Sequence, residues 1–409
     1  MWRIFANDDY DEVVDRKLSF TILFCYVILV AQFLIRAITN NRTGEISDLI
    51  KIAAIGMQGF LYLKNIRYAW RRSARAFLLL YPVCIIVFLF TLIIYPENSS
   101  YVIDLVFPFF FACIPSFIYT YSINDYKNMN VIMEKIANIV FILCLVLSFF
   151  MLNGSLDGQE YSLGLSYYLL FPLLVFTNRF IKQNTITDII RILVILMVIL
   201  FMGSRGAIMC FVFFCIGKMV KMPTKSLHGL LHKVLLILGS VILAFSIKDF
   251  LKLINYYGYK LFGISSRTIT LLLTDLNHAS GRDVIYRTII EQIKLHPILG
   301  IGIAGDRRVM NSSALYAHNI FLEILADYGV LLGIMLILSL LACVIKGFLK
   351  EGESYDLALF WVSIGLVPLL VSESYLQSFT FWIMLAILIK PMNSECRDQV
   401  SDESKKLLF

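Results

Sequence analysis

The chain consists largely of apolar segments, each about as long as a helix must be to cross a bilayer. The hydrocarbon core requires about 20 mostly apolar residues in a helix, and about twelve such segments occur in the 409 residues. They cover residues 18–38, 46–63, 76–95, 101–121, 131–152, 163–180, 189–203, 206–221, 233–251, 328–346, 355–371 and 373–390. Only 16% of residues are charged, whereas about a quarter are in a typical soluble domain. The sequence therefore predicts an all-α polytopic membrane protein with about twelve transmembrane helices.

The charges of the short loops predict the orientation of the chain. If the N-terminus is cytoplasmic, most Lys and Arg residues gather in the inner loops. These loops are 64–75, 122–130, 181–191, 218–233 and 346–354. The outer short loops have only Arg42 and Arg205 as cations. Because this is a positive-inside pattern, both termini are expected in the cytoplasm and residues 252–327 on the outer face. The formal charge of +7 thus reflects topology and does not indicate nucleic-acid binding.

One long polar segment divides the chain into three regions. Residues 1–250 predict an N-terminal transmembrane bundle of about nine helices. Residues 251–327 predict a large extracytoplasmic loop containing short helices, and residues 328–409 the C-terminal transmembrane helices with a cytoplasmic tail. Long loops are translocated regardless of their charge, so the arginines and histidines of this loop are not topology signals. The loop is therefore the first candidate for a functional site.

The loop contains one segment with the pattern of an amphipathic helix. From Asp283 to His296 apolar residues recur about one turn apart, and Pro297 ends the pattern. The glycine-rich stretch GIGIAG follows at residues 300–305. Because it lacks the preceding strand and the βαβ frame of a dinucleotide-binding motif, we predict a flexible turn there.

Several kinds of cofactor chemistry find no motif in the sequence. A phosphate-binding P-loop motif is missing, so direct use of ATP is not expected. The long loop has no acidic pair that could hold a metal-bound nucleotide sugar, and the eight Cys and five His residues show no metal-ligand spacing. We therefore expect neither a cofactor nor a metal.

Three residues have positions at which side-chain chemistry is expected. Arg205 lies in GSRGA between two apolar segments, where an ionisable residue is a functional candidate; an arginine that reaches towards lipid headgroups is the alternative. Arg282 begins the predicted loop helix, whose positive end attracts anions, with a surface pair to Asp283 as the alternative. His318 lies at the membrane boundary, where a neutral imidazole can accept a proton, although a lone histidine is more often structural.

Motifs in a fixed order extend across the central part of the chain. They are Ser204-Arg205-Gly206, Gly281-Arg282, HPILGIG at 296–302, and His318-Asn319 followed by Leu322, Gly329 and Gly333. Singly these motifs are weak, but together and in this order the sequence resembles the O-antigen ligase and Wzy polymerase superfamily. One position departs from the pattern, because Tyr286 stands where the family often has Trp.

The resemblance implies a membrane glycosyltransferase of the GT-C type that uses neither metal nor nucleotide. Its donor would be a sugar chain on undecaprenyl diphosphate at the outer face of the bacterial inner (cytoplasmic) membrane. Its acceptor would be another lipid-linked oligosaccharide, and a chain-length regulator could join these partners. The charge that develops on a diphosphate leaving group calls for arginine, so Arg205 and Arg282 are assigned to it, with Arg287 as a weaker helper. His318 is assigned to the acceptor hydroxyl.

Further loop residues are candidates for contact with the glycan. Arg307 and Arg308 could contact the glycan or lipid headgroups. Tyr256, Tyr257 and Tyr259 could stack on sugar rings.

Three functions are open at this point. A polymerase, our first choice, transfers the chain to the terminal sugar of another lipid-linked repeat unit of an O-antigen, capsule or exopolysaccharide. A ligase transfers it to a lipid A core or to a protein, and the motifs do not separate these two. A transporter or flippase would need corresponding broken helices in two halves of the chain, which the sequence does not have.

Overall fold

The computed structural model describes residues 2–39, 45–152, 163–202, 204–221, 282–310 and 316–390, with the short pieces 231, 234, 252–253, 256–257 and 260. Within these residues every regular element is helical. The α-helices are α1 (Trp2–Thr39), α2 (Glu45–Ile94), α3 (Ser99–Pro108), α4 (Ile114–Tyr121), α5 (Tyr126–Leu152), α6 (Leu163–Gln183), α7 (Ile186–Met202), α8 (Arg205–Lys221), α9 (Arg282–Leu295), α10 (Gly305–Met310), α11 (Ile320–Phe348), α12 (Gly352–Gly365) and α13 (Phe379–Ile389). A π-helical turn, Phe109–Cys113, joins α3 to α4, and 3-10 turns cover Pro96–Asn98 and Val367–Leu370.

Seven of the described helical stretches are long and apolar enough to cross a membrane. They are Tyr10–Ile35, Leu49–Ile94, Pro96–Tyr121, Tyr126–Phe150, Gly164–Gln183, Ile320–Phe348 and Gly352–Leu370. Large apolar side chains stand exposed along two of them, such as Leu79 and Ile93 on α2 and Leu331 on α11. A soluble protein does not expose apolar surface on this scale, so these faces are suited to contact with lipid. The all-α, multi-pass membrane fold is confirmed, and the count of about twelve spans stays a prediction, because span 233–251 lies mostly outside the described residues.

The predicted loop 64–75 is helical in the structure. Helix α2 runs from Glu45 to Ile94 and leaves helical geometry only at Ser73, with φ −139° and ψ 36°. Residues 64–75 contain neither Gly nor Pro, so nothing in their backbone stops a helix. The predicted loop between spans 46–63 and 76–95 is thus replaced by a helix with one non-helical residue, Ser73.

The predicted boundary between 189–203 and 206–221 is observed. Residues Ile186–Met202 and Arg205–Lys221 form separate helices, α7 and α8, and do not continue as one long kinked helix. The bundle is assembled mainly by packing of α1 on α5 and α2, of α6 on α7, and of α13 on α4 and α12. This arrangement brings the start of α8 close to the C-terminal helices, because α8 packs on both α6 and α12.

A buried ion pair joins α1, α2 and the turn before α5 at one end of the bundle. Arg72 of α2 pairs with Asp15 of α1, whose carboxylate also accepts a hydrogen bond from the backbone amide of Asn124 at 2.9 Å. A buried carboxylate is stable only when its charge is compensated in this way. The contacts bring two of the predicted inner loops, 64–75 and 122–130, to the same end.

The described part of the long loop docks on a kink in α11. Gly329 has φ 76° and ψ 177° and breaks the helix near the predicted membrane entry at residue 328. The turn after α9 fits into this break: the Ile301 amide donates to the Ala326 carbonyl at 2.7 Å, and the Val330 amide donates to the Pro297 carbonyl at 2.7 Å. Helix α9 therefore lies against the first part of α11.

The glycine-rich turn is packed, so the prediction of a flexible turn was wrong. Residues 300–305 are all buried. The Tyr95 hydroxyl donates to the Gly300 carbonyl at 3.0 Å, and the Asn98 amide side chain donates to the Ile301 carbonyl at 2.8 Å. The glycines serve close packing, since a side chain at Gly300 would overlap the Ala326 carbonyl.

Candidate functional site

Arg282 is the first residue of α9, as the sequence predicted. Helix α9 is held by Ile289, which is fully buried, and by the partly buried Ile285 and Ile293 on the same face. This anchoring leaves Arg282 half-buried. Burial raises the pKa of Tyr316, and the Arg282 guanidinium opposes this rise; burial lowers the pKa of His318, and the same guanidinium lowers it further. The charge of Arg282 therefore acts on the segment that precedes α11.

His318 lies directly before α11 in an uncommon backbone conformation. Its φ is 54°, and Asn319 follows as the N-cap, whose side chain accepts from the Phe321 amide at 3.0 Å. A left-handed residue before a capped helix turns the chain sharply. The His-Asn pair is thus a structural corner that sets the direction of the imidazole.

The surroundings of His318 favour a neutral imidazole. Burial lowers its pKa below the ordinary value of 6.5, and the charge of Arg282 lowers it further, whereas a backbone hydrogen bond with Ser372 opposes the shift. The Nδ1 atom has no hydrogen-bond partner among the described residues. A neutral imidazole with a free nitrogen is able to accept a proton or a hydrogen bond.

Two tyrosines contact His318. The Tyr286 hydroxyl donates to the His318 carbonyl at 3.4 Å, so the position that departs from the family pattern connects α9 to the His318 backbone. The Tyr316 ring lies against the imidazole, with ring centroids 4.4 Å apart, and its hydroxyl donates to the Ser372 carbonyl. Tyr316 therefore joins His318 to the segment between α12 and α13.

Arg205 is the first residue of α8, and its side chain lies outside the described part of the chain. The neighbouring Gly206 locates the start of the helix. A side chain at Gly206 would overlap the Tyr167 hydroxyl and touch Val371. The backbone at the start of α8 thus lies against α6 and against the segment that carries Ser372.

A cavity of about 180 Å³ lies beside Tyr316. Its aromatic lining consists of Tyr167, Tyr168, Tyr316 and Phe379. Its polar lining consists of Glu373, Ser374, Gln377, Ser378 and Thr380, and Ile364 completes it. Among these lining residues none is Lys, Arg or His. The cavity is therefore suited to an uncharged ligand with many hydroxyl groups, since phenols, hydroxyls and an amide all exchange hydrogen bonds with such groups.

Glu373 is the acidic group of this cavity. Ser378 donates to its Oε2 at 2.9 Å, and no other described residue donates to the carboxyl group. Burial raises the pKa of Glu373 to about 7, and the Ser378 hydrogen bond opposes this shift only in part. Near neutral pH the carboxyl group is thus shared between its protonated and ionised forms.

A buried polar network joins the cavity-lining residue Ser374 to residues that do not line the cavity. The Ser374 hydroxyl donates to Glu323 and accepts a hydrogen bond from Arg307 at 3.3 Å. Asp306 next to Arg307 accepts from the Ala317 amide at 2.8 Å. Burial raises the pKa of Asp306, and the Arg307 charge opposes this shift. These contacts fix both segments that flank the cavity.

Among the residues expected to contact the glycan or headgroups, Arg307 is buried in the structure, while the roles of Arg308 and of the loop tyrosines stay predictions. Arg307 was expected to contact the glycan or headgroups, but it is only 9% exposed and belongs to the buried network. Arg308 donates to the Asn98 side chain at 2.7 Å and so ties the loop to the 3-10 turn after α2. Tyr256 and Tyr257 contact each other edge to face, and Tyr259 lies outside the described residues.

Arg287 is not grouped with Arg282 and His318. It is exposed and five positions further along α9, which places it about 140° around the helix from Arg282. A helical residue at this angle faces a different environment, as the sequence spacing predicted. Its role as a weaker helper stays a prediction.

Glu373 was missed by the sequence analysis. The predicted span 373–390 begins at Phe379 in the structure, and residues 371–378 are not part of an α-helix. The three polar residues Ser372, Glu373 and Ser374 interrupt the apolar run, and an acidic residue within such a run is itself a sign of function. That signal was lost because the segment was judged by its average hydrophobicity.

Comparison with known proteins agrees with the motif analysis. Residues 190–337 match a family model described as O-antigen ligase. No curated protein and no solved structure matches the chain significantly. The matched range begins in α7, ends in α11, and contains Arg205, Arg282 and His318. The resemblance stated from the sequence is confirmed, since residues 190–337 are similar to the O-antigen ligase family.

Proposed function

We propose that the protein is a membrane glycosyltransferase that polymerises a bacterial surface polysaccharide. One observation carries this proposal: two residues that line one cavity of aromatic and hydroxyl-bearing side chains also contact the predicted site, since Tyr316 packs against His318, whose pKa the Arg282 charge lowers, and Tyr167 lies against the start of α8. Positive charge suits a diphosphate, and the cavity suits a sugar. The two parts of a sugar diphosphate substrate thus have complementary surroundings.

The reaction transfers a glycan chain from undecaprenyl diphosphate to a sugar hydroxyl of a second lipid-linked repeat unit. The bond between the anomeric carbon and the diphosphate oxygen breaks, and a bond from that carbon to the acceptor oxygen forms. Arg205 and Arg282, with Arg287 as a weaker helper, stabilise the charge that develops on the leaving diphosphate. The neutral His318 accepts or orients the proton of the acceptor hydroxyl. The reaction requires neither nucleotide nor metal.

The polymerase would be a multi-pass protein of the bacterial inner (cytoplasmic) membrane. Its termini would lie in the cytoplasm, because this orientation follows from the positive-inside pattern of the short loops. The candidate site would then face the periplasm or the cell exterior, where flipped lipid-linked repeat units are found. Membrane lipids and a chain-length regulator are further proposed partners.

A ligase is the second candidate, because the matched family model is described as O-antigen ligase and does not separate ligases from polymerases. The two functions differ in the acceptor alone. A polymerase needs only lipid-linked repeat units, whereas a ligase also needs a lipid A core or a protein. A single assay with and without these acceptors distinguishes them.

The test uses the purified full-length protein in lipid nanodiscs. Lipid-linked repeat units are isolated from source cells that lack this protein and are supplied without nucleotide. A ladder of products that differ by one repeat unit supports the polymerase. Transfer only after lipid A core or a protein acceptor is added would replace the polymerase by the ligase. Movement of the lipid across a vesicle membrane without any transfer would replace both by a flippase.

A variant series tests the residue roles in the same assay. Arg205→Ala, Arg282→Ala and His318→Ala are each expected to abolish elongation at normal expression. Lys294→Ala is the control, since Lys294 is an exposed cation in the last turn of α9. Full activity of His318→Ala would remove that residue from the mechanism.

A further inference from the structure

We propose that the cavity bounded by Tyr168, Tyr316 and Glu373 is the acceptor subsite, and that it binds one uncharged sugar ring at the non-reducing end of the acceptor glycan. This inference rests on the proposed glycosyltransferase function and names the ligand of one part of its site. Its basis is the chemistry and size of the cavity lining.

The lining has the composition of a carbohydrate site. Three phenol groups, three aliphatic hydroxyls, one amide and one carboxyl group surround the space. Sugar hydroxyls donate and accept hydrogen bonds, and groups of these kinds can pair with them where they are not already bonded within the protein. The aromatic rings of Tyr167, Tyr168, Tyr316 and Phe379 offer flat apolar surfaces to the C–H faces of a pyranose ring.

The volume is sufficient for a sugar ring. The cavity measures about 180 Å³ and is open on one side. We infer that one monosaccharide ring enters it. The remaining sugars of the acceptor would extend out of the cavity.

The charge of Glu373 indicates which of the two substrates, donor or acceptor, binds in the cavity. The donor sugar carries a diphosphate on its anomeric carbon, and a carboxyl group that ionises near neutral pH would repel this anion at short range. The non-reducing end of the acceptor lies far from its own diphosphate and has no such penalty. An acidic cavity therefore fits the acceptor, while Arg282 fits the donor diphosphate.

The same argument restricts the kind of sugar. A uronic or sialic acid would bring a second carboxylate next to Glu373, and two carboxylates at close distance cannot both ionise cheaply. Oε1 of Glu373 receives no hydrogen bond from the described residues, since the one hydrogen bond goes to Oε2. A hydroxyl of a neutral sugar can donate a hydrogen bond to this carboxyl group without adding a second charge.

The position of the cavity agrees with an acceptor role. Tyr316 both lines the cavity and lies 4.4 Å, centroid to centroid, from the imidazole of His318. A sugar on Tyr316 would thus be one aromatic ring away from the residue assigned to the acceptor hydroxyl. Ser374 connects the cavity floor to Glu323 and Arg307 and holds it in place.

The test measures the binding of an acceptor probe and of a donor probe separately. The acceptor probe is the lipid-free repeat-unit oligosaccharide, released by mild acid from the isolated lipid-linked repeat unit, and its binding is followed by saturation-transfer NMR. The donor probe is undecaprenyl diphosphate without sugar. Glu373→Ala and Tyr168→Ala are each expected to weaken oligosaccharide binding about tenfold or more. Binding of undecaprenyl diphosphate is expected to stay unchanged.

Two further variants separate a binding role from a folding defect. Glu373→Gln keeps the shape and an acceptor oxygen and is expected to bind the oligosaccharide within about threefold of wild type. Glu353→Gln is the matched control, since Glu353 is exposed at the start of α12, and it is expected to change neither affinity. The strongest saturation is expected on the non-reducing terminal ring, and composition analysis is expected to identify this ring as a neutral sugar.

Several outcomes would overturn the subsite. These are oligosaccharide binding that ignores both alanine variants, an equal loss of undecaprenyl diphosphate binding, or a uronic acid as the terminal ring. If the wild-type protein still forms ladders in that case, only the subsite fails and the polymerase stands. If the wild-type protein transfers no glycan to any acceptor, the proposed function fails and the acceptor role fails with it.

Discussion

The carboxylate of Asp306 accepts a hydrogen bond from the backbone amide of Ala317 at 2.8 Å. Asp306 is fully buried, and Ala317 directly precedes His318, whose φ is 54°. A left-handed φ of this kind is uncommon for a residue with a side chain and persists only where the surrounding structure fixes it. The short helix α10 thus supports the candidate site without lining it. Its residue Asp306 fixes the backbone turn at Ala317 and His318, and this turn sets the direction of the imidazole.

Substitution of Asp306 should therefore lower activity without contact to substrate. Asp306→Ala removes the acceptor of the Ala317 amide and is expected to cost about 1–3 kcal/mol of stability and to slow ladder formation. Asp306→Asn retains an acceptor oxygen and should lose less of both. Ladder rates and thermal midpoints in detergent give the measurement, with Glu291→Ala on the exposed side of α9 as control. Wild-type rates in Asp306→Ala would show that the corner holds without it.

Two glycines form the joint between the loop and α11. Gly300 has φ 70° and Gly329 has φ 76°, and a side chain at Gly329 would overlap the Ile298 carbonyl. Gly300→Ala and Gly329→Ala should each destabilise the protein by more than the ~1–2 kcal/mol that left-handed backbone costs a residue with a Cβ. Thermal unfolding in detergent measures this effect.

Gly59→Ala is the matched control for the joint. Gly59 lies within α2 and has open space around it, so Ala there should stabilise the helix by up to about 1 kcal/mol. If the joint variants unfold at the wild-type temperature, the loop is not held by this packing.

The sequence predicted the local elements of the site better than their assembly. Apolar spacing gave α9 to within one residue, because Ile285, Ile289 and Ile293 share one buried face. The order of the motifs joined Arg205, Arg282 and His318 into one site hypothesis. Periodicity carries no information on which distant segments touch, so the contact of α10 with Ala317 could not be predicted.

The cavity was missed for a related physical reason. Its floor is formed by residues 371–378, which the sequence analysis assigned to two adjacent spans. A window as long as a membrane span averages three polar residues with many apolar ones. The prediction for the glycine-rich turn was wrong for a different reason. Glycine permits flexibility, but here it permits close packing against Tyr95 and Asn98.

Arg282 should act on the proton affinity of His318 as well as on the diphosphate. Because its charge lowers the pKa of His318, Arg282→Met should raise that pKa towards the ordinary value of 6.5. Arg282→Lys retains the charge and should leave the pKa nearly unchanged, yet it loses the bidentate fork and should slow elongation about a hundredfold. NMR titration of labelled histidine and ladder assays measure the two effects.

Lys294→Met is the control for Arg282, since it removes an exposed cation from the other end of α9. It should change neither the His318 titration nor the elongation rate. An unchanged His318 pKa in Arg282→Met would show that the two residues are not coupled by charge.

Glu373 should make stability depend on pH near neutrality. Burial raises its pKa from 4.5 to about 7, so the folded protein holds this proton more tightly than the unfolded chain does. The free energy of unfolding that this proton contributes is complete below about pH 4.5 and is lost as the pH rises through about 7, with a total of up to ~3 kcal/mol for a shift of this size.

The variant Glu373→Gln has no titrating group at this position, so its thermal midpoint should fall less than that of the wild type between about pH 5 and about pH 8. His318 acts in the opposite direction, because a lowered pKa removes stability as the pH falls below about 6.5, and both proteins share this effect. Parallel curves for the two proteins over this range would mean that the Glu373 carboxyl group is not held in its protonated form by the fold.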